Sequence, residues 1–225
     1  MMNVDDIRYE FRSAMDMNKF TIDRTGAKTI EILGASFLAD EPAIFGVPNL
    51  KYIEAELEWY ESQVPNINRL AEIYGCHPAA WASSADENGN VNSNYGYLVF
   101  STRFYNQFAR AVAEIQENPD SRRAQMIYNR PSIWVEFDEN GKNDFICTNA
   151  QTVYIRDGKL HMVSQMRSND VVYGYKNDRA WARHLQAKFV QVLNSTGRTE
   201  PLEMGDLIWQ CMNLHVYSRH FDLIT

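Results

Sequence analysis

Apolar residues at fourfold spacing open the chain: Ile7, Phe11 and Met15 recur behind Asp5 and Asp6, which suit a helix N-terminus. After the turn Asp23-Arg24-Thr25-Gly26, Ile30 and Ile32 alternate with polar neighbours as a strand does. A helix is predicted after Asn49, with Ile53, Leu57 and Tyr60 as its buried stripe and Glu56 beside it; Glu58 faces elsewhere, toward solvent. Residues 85–96 form a polar turn or loop around Asn88-Gly89. A further helix carries Phe104, Phe108, Val112 and Ile115 and ends before Pro119. From 124 to 166 the pattern becomes β: an apolar run to Tyr128, Trp134 to Phe137, a turn at Asp138 to Lys142, then two strands flanking Asp157-Gly158, with Cys147 on the first. A helix from about Asp178 to Leu193 shows Trp181, Leu185 and Phe189 on one face and stops at Gly197. A last strand ends in His215-Val216-Tyr217.

No repeat, low-complexity tract or linker interrupts this order, so the expectation is a single α+β domain over residues 1–225, with helices covering a mainly antiparallel or mixed sheet. A length of 225 residues with 45% apolar content suits one continuous core. Apolar runs long enough to span a membrane are missing, as is a basic-then-apolar leader, which points to a cytoplasmic protein.

The net charge of −7 disfavours broad attachment to nucleic acid or an anionic membrane, so any phosphate handled here has to meet a local basic cluster. Arg122 and Arg123 are adjacent, and Arg24 and Arg167 stand in distinctive settings; an arginine pair by itself reads equally as solvated surface. Cys76, Cys147 and Cys211 are odd in number and lack metal-ligand spacing, against both a disulfide framework and a metal site. Taken one at a time, each is expected to be a small buried hydrophobe.

Chemistry gives one thiol a different reading. C5 of a pyrimidine is too poor a nucleophile to take up carbon, but a thiolate adding to C6 leaves carbanion character at C5. Such a site also needs phosphate clamps, a proton-transfer group and a reader of the base edge. Four arginines offer planar forks for a phosphate dianion. His215 and Tyr217, two apart on a strand, face the same way and could share a sugar hydroxyl, or be an ordinary half-buried pair.

Several segments resemble the thymidylate synthase family, in family order. Pro119-Asp120-Ser121-Arg122-Arg123 resembles its phosphate-binding segment, and Asp23-Arg24-Thr25-Gly26 its N-terminal phosphate loop. Arg167-Ser168-Asn169-Asp170 is similar to its Arg-Ser-x-Asp segment, and His215-Val216-Tyr217-Ser218 to the segment that holds the sugar. The resemblance runs from about residue 5 to residue 222. It implies a thymidylate synthase fold and a homodimer built on one sheet face, with Arg122 and Arg123 reaching into the partner's site. It also makes Cys147 the nucleophile, near which converging arginines favour a thiolate. Glu56 becomes the proton-transfer carboxylate working through water, Ser168 joins the phosphate site, Tyr95 and Trp81 line the base and folate pocket, and Asp170 binds the pterin.

Departures narrow the substrate. The family has Pro and His around its nucleophile, where this chain has Ile146 and Thr148; the Gln before the matched arginine is Met166, with Gln165 one place earlier. Four residues beyond Gly174, where the family places Asn to read uracil, stands Asp178. A carboxyl accepts from the exocyclic amine of cytosine and shares a proton with N3, whereas an ionised carboxylate repels uracil O4. Asp178 also suits a helix N-cap, and Asn177 is adjacent. The stretches Gly34 to Pro42, Cys147-Thr148-Asn149 and Arg167 to Asp178 resemble the phage deoxycytidylate-hydroxymethylase branch of the family.

The implied reaction is 5-hydroxymethylation of dCMP with 5,10-methylenetetrahydrofolate, water adding last. The enzyme is then expected in the cytoplasm, a host's if phage-encoded, with a nucleotide-synthesis complex as a candidate partner. A dUMP or dCMP methylase, a CMP hydroxymethylase and an inactive nucleotide-binding relative stay open as alternatives. Family members carry a longer C-terminal portion beyond the position of Thr225, which helps close the site.

Overall fold

The computed structural model describes residues 1–196 and 200–224. In chain order the elements are α1 (Val4–Asp16), β1 (Thr21–Ile22), β2 (Lys28–Leu38), α2 (Leu50–Glu61), α3 (Ile67–Tyr74), α4 (Ala79–Ala82) and α5 (Tyr95–Phe100). They continue as α6 (Gln107–Glu117), β3 (Gln125–Ile127), α7 (Ile133–Glu136), β4 (Thr148–Arg156), β5 (Lys159–Asp170), α8 (Gly174–Asn194) and β6 (Glu203–Tyr217). The chain forms two compact units, Met1–Pro48 with Ile155 onward, and Asn49–Tyr154. The class is α+β, as expected, and the sheet is mixed.

In the first unit the strands lie in the order β1-β2-β6-β5, with β2 antiparallel to both its neighbours and β5 parallel to β6. Helix α8 covers β5 and β6, and α1 covers β2. Their apolar stripes, Trp181, Leu185 and Phe189 on α8 and Ile7 and Phe11 on α1, are fully buried, as the fourfold spacing predicts. A capping box starts α1: Asn3 Oδ1 accepts from Asp6 N at 3.0 Å while Asp6 accepts from Asn3 N at 2.9 Å.

Side chains on a strand alternate between faces, and here the alternation is interrupted. On β6 the core takes Leu207, Trp209 and Cys211, then shifts by one to Leu214 and Val216. On β5 it takes Leu160, Met162, Ser164 and Met166, then shifts to Asn169. On β2 Phe37 and Ala35 face in, and beyond the break Ile30 does. The three breaks are in register: Ala35 and Met166 pair with Cys211, and Leu33 and Ser168 with Asn213, so Gly34, Met212 and Arg167 fill the gap. Gly34 has φ +70°, a conformation that costs glycine little. The shift turns Ser168, Asp170, His215 and Tyr217 out of the core; unbroken alternation would bury all four.

In the second unit β3 and β4 pair antiparallel, Met126 opposite Gln151. Trp59, Tyr60, Tyr95 and Tyr128 form a row with ring centroids 5.3, 5.3 and 5.2 Å apart in succession. The row explains why α2 turns a different face inward than its aliphatic spacing predicts. Ala55, Glu56, Trp59 and Tyr60 are buried, and Ile53 and Leu57 only partly so.

Other expectations change too. The helix carrying Phe108 starts at Gln107, because Tyr105 and Asn106 take positive φ and Asn106 caps it, leaving Phe104 in a separate 3₁₀ turn. The segment Trp134 to Phe137 is helical: it follows the Pro131-Ser132 turn, and Trp134 and Val135 are each 72% exposed, with no sheet to face. Helix α8 begins at Gly174, one turn before Asp178, and Cys147 immediately precedes β4. The expected stop at Gly197 lies outside the described residues. The Asp157-Gly158 turn between β4 and β5 is as expected, with φ +51° and +72°.

Gly96 leaves no room for a side chain: a Cβ there would stand 1.8 Å from the Tyr60 carbonyl oxygen. Gly96→Ala is expected to destabilise the chain by about 3 kcal/mol or more, read from the urea unfolding midpoint.

Candidate active site

Cys147 is a half-buried thiol between two fully enclosed neighbours, Ile146 and Thr148. Its Sγ lies 3.8 Å from the Phe145 carbonyl oxygen. The segment is held at both ends. Downstream, Asn149 O accepts from Tyr128 N at 2.9 Å and Asn149 Oδ1 from Asn129 Nδ2 at 3.2 Å. Upstream, the buried Asp144 carboxylate accepts from Ser93 Oγ (2.5 Å), Ser93 N (2.8 Å) and Asn92 N (2.6 Å). Burial pushes the Asp144 carboxyl up, and these donors pull it back. Nothing in the spacing of apolar and polar residues around Cys147 signals that Asp144 anchors the segment, because its donors lie some fifty residues earlier in the chain.

Glu56 is 5% exposed on the inward face of α2. Its Oε1 accepts from Tyr52 Oη at 2.6 Å and from Trp81 Nε1 at 2.9 Å. Trp81 also donates to Tyr52 Oη at 2.9 Å and packs edge-on to Trp59. Burial raises the Glu56 pKa, opposed by the two donors, so the carboxyl is suited to hold and release a proton. Tyr52 was missed at the sequence level, although its position four residues before Glu56 on a helix places the two together. Tyr95 is buried in the aromatic row.

The arginine loop follows α6. Arg122 and Arg123 are exposed, and Arg123 meets Glu114 of its own chain at 3.0 Å while Ser121 Oγ donates to the same carboxylate at 2.6 Å. Ser121 and then Arg123 hold the Glu114 carboxyl below its ordinary value.

In the other unit, Asp23 Oδ1 accepts from Thr25 N, Thr25 Oγ1 and Ala27 N at 2.7–2.9 Å and leaves Arg24 exposed on the turn. His215 and Tyr217 do share a face, with ring centroids 5.2 Å apart. The pairing of Thr29 with Tyr217 brings the turn that precedes β2 to the end of β6, and the Tyr217 pKa is raised, first by burial and then by Asp23 and Asp170, against Arg219 and Arg24. Asp170 is the β5 partner of His215, and its Oδ1 accepts from Val172 N and Tyr173 N at 2.6 and 2.9 Å. Arg167 stands at the break in β5, and Ser168 on its outward side. Met166 is fully buried, while Gln165 bonds Gln210.

Asp178 lies in the second turn of α8, whose N-cap is Tyr173, so capping does not account for it. Its Oδ2 accepts from Asn169 Nδ2 at 2.7 Å.

A thymidylate synthase family model matches residues 10–225. The chain belongs to the thymidylate synthase family. Among relatives with curated descriptions, the deoxycytidylate 5-hydroxymethyltransferases of Enterobacteria phages T4, T2 and T6 are each 46% identical over 223 residues, 99% of this chain and 89% of theirs. Each half of the thymidylate synthase motif set therefore sits on structure of its own. Cys147, Glu56, Tyr95, Trp81, Arg122 and Arg123 stand in the unit Asn49–Tyr154, and Arg24, Arg167, Ser168, Asp170, Asp178, His215 and Tyr217 in the other. Among the described residues, no cluster of three or more His, Cys, Asp or Glu could hold a metal ion, and no helix is long and apolar enough to cross a membrane.

Because burial raises the Glu56 pKa above its ordinary 4.5, the folded chain keeps a proton that the unfolded chain has released. Stability then falls as pH rises through that interval. Glu56→Gln removes this titration, so its gain in Tm over the unaltered chain should be larger at about pH 8 than at about pH 5. A pH-independent gain would contradict the desolvation of Glu56.

Proposed function

We propose that this chain transfers a hydroxymethyl group to C5 of dCMP, converting dCMP, 5,10-methylenetetrahydrofolate and water into 5-hydroxymethyl-dCMP and tetrahydrofolate. The observation that carries the reading is Asp178: a carboxyl stands where the family reads uracil with Asn, and it is held by Asn169 rather than spent on a helix cap. The names of the phage relatives support it.

In this reading Cys147 adds to C6 of cytosine, and Asp178 accepts from the exocyclic amine while sharing a proton with N3, which drains the ring and helps the thiolate add. Glu56 takes part in removing the C5 proton and in admitting water to the exocyclic methylene that follows, its Oε1 fixed by Tyr52 and Trp81. Tyr95 backs the base. Arg24, Arg167 and Ser168, with Arg122 and Arg123 from a partner subunit, hold the phosphate, and His215 with Tyr217 holds the sugar.

The folate supplies the one-carbon unit at the oxidation level of formaldehyde. Trp81 offers a half-buried ring, and Asp170 a carboxylate oriented by two backbone amides, which fits an N–H-rich pterin edge. The homodimer is supported by the exposure of Arg123 (78%) and by Leu33 and Met212, 73% and 53% exposed on the strands where the alternation breaks. A sheet face covered by a second copy would bury them. The whole 225-residue chain acts as one catalytic domain in this reading, in the cytoplasm of a phage-infected host, and a nucleotide-synthesis complex is a natural setting for it.

Incubation with dCMP, dUMP or CMP and methylenetetrahydrofolate, with products separated by mass, tests the reading. The expected product is 5-hydroxymethyl-dCMP with tetrahydrofolate released; a methylated base with dihydrofolate would overturn it. Cys147→Ala should give no turnover, and Asp178→Asn should shift preference from dCMP toward dUMP on the order of 100-fold.

A further inference from the structure

A neutral carboxyl group is not, by itself, a cytosine reader. With its proton on one oxygen it presents a donor and an acceptor in one order, and with the proton on the other oxygen it presents them reversed. Cytosine offers an amine donor at position 4 and an acceptor at N3; uracil offers an acceptor at O4 and a donor at N3. A carboxyl able to move its proton between oxygens can therefore match either base, and something has to remove that freedom.

One group that holds Asp178 is the Asn169 amide. Its Nδ2 donates to Asp178 Oδ2 at 2.7 Å, and a donor there opposes a proton on the same oxygen. Asn169 is 3% exposed and its Oδ1 has no hydrogen-bond partner among the described residues, so a buried acceptor is left unsatisfied while the amide serves the carboxylate. Space for the pair comes from Gly174, where a Cβ would lie 2.9 Å from Asn169 Nδ2 and 3.5 Å from Asp178 Oδ2. Asn169 faces inward because the break in β5 shifts the alternation by one residue.

We propose that Asn169 is a specificity-determining positioning residue that holds Asp178 Oδ2 as an acceptor and leaves the shared proton to Oδ1. Resting on the dCMP reading above, this assigns Oδ2 to the exocyclic amine and Oδ1 to N3. Uracil then meets acceptor against acceptor at O4 and donor against donor at N3. Asp178 supplies the carboxyl, and Asn169 decides which base it accepts.

The test measures kcat and KM for dCMP and dUMP in the unaltered chain, Asn169→Ala and Asn169→Ser, each alone and combined with Asp178→Asn. The dCMP to dUMP ratio of kcat/KM should fall at least about tenfold in both single variants, the dUMP value rising, while the dissociation constant for 2-deoxyribose 5-phosphate changes by less than about twofold. With Asp178→Asn already present, the same substitutions should change the ratio by less than about threefold, because their effect passes through the carboxyl. Gly174→Ala, which presses a methyl on the amide and leaves every polar group in place, should lower the ratio in the same direction. A ratio unchanged in the Asn169 variants, or a loss equal in both Asp178 backgrounds, overturns the proposal. If the unaltered chain makes no 5-hydroxymethyl-dCMP, it is the function reading that fails, and the two failures are told apart by that control.

Discussion

The whole arrangement depends on the period of two along a β-strand. Strand β6 is long enough to serve both a core and a polar surface, and its first half commits odd-numbered positions to the core with Leu207, Trp209 and Cys211. Continued to the end, that rule would bury Asn213, His215 and Tyr217. A one-residue shift at Met212 prevents this, and it works only because β2 and β5 shift beside it, at Gly34 and Arg167. Three adjacent strands are thereby bound to a single interruption. It exposes Ser168, Asp170, His215 and Tyr217 and, by the same step, drives Asn169 inward against Asp178.

Within the other unit the controlling constraint is burial of polar groups. Glu56 and Asp144 lie among aromatic and aliphatic side chains, and each is tolerated because donors converge on it: Tyr52 and Trp81 on the first, Ser93 and Asn92 on the second. The consequences differ. Asp144 takes two backbone amides and a hydroxyl from Asn92 and Ser93, spread over both of its oxygens, and fixes a loop three residues before Cys147. The donors on Glu56 meet on a single oxygen, which fits a group that exchanges a proton rather than one that only anchors.

Much of this was legible in the residues, for identifiable reasons. Helix α1, the Asp23 turn and the Asp157-Gly158 hairpin rest on local rules of spacing, capping and backbone freedom, and they stand as read. Trp134 to Phe137 misled because aromatic and branched residues imply a strand only where a sheet is there to receive them. The face that α2 turns inward departs from its aliphatic spacing because the Trp59 ring carries more buried surface than Ile53 or Leu57. The shift in β6 was visible in principle, since Leu207, Trp209 and Cys211 are odd and Leu214 and Val216 even, but its alignment with β2 and β5 needs the strand register. Asp178 drew notice as a departure from a family pattern. The amide that holds it, nine residues away in sequence, could not, because a turn and the start of α8 lie between them.

The ion pair between Arg123 and Glu114 bears on how an anion is captured. A guanidinium that already holds a carboxylate of its own chain is not an open cation waiting for a ligand. In the proposed reading, a phosphate at Arg123 competes with Glu114, and the electrostatic gain is then the difference between two anions rather than the whole attraction of one. On that reading the exchange would restrain adventitious anions and favour the ligand with the greater charge, a doubly charged phosphate monoester over the singly charged phosphodiesters of nucleic acid.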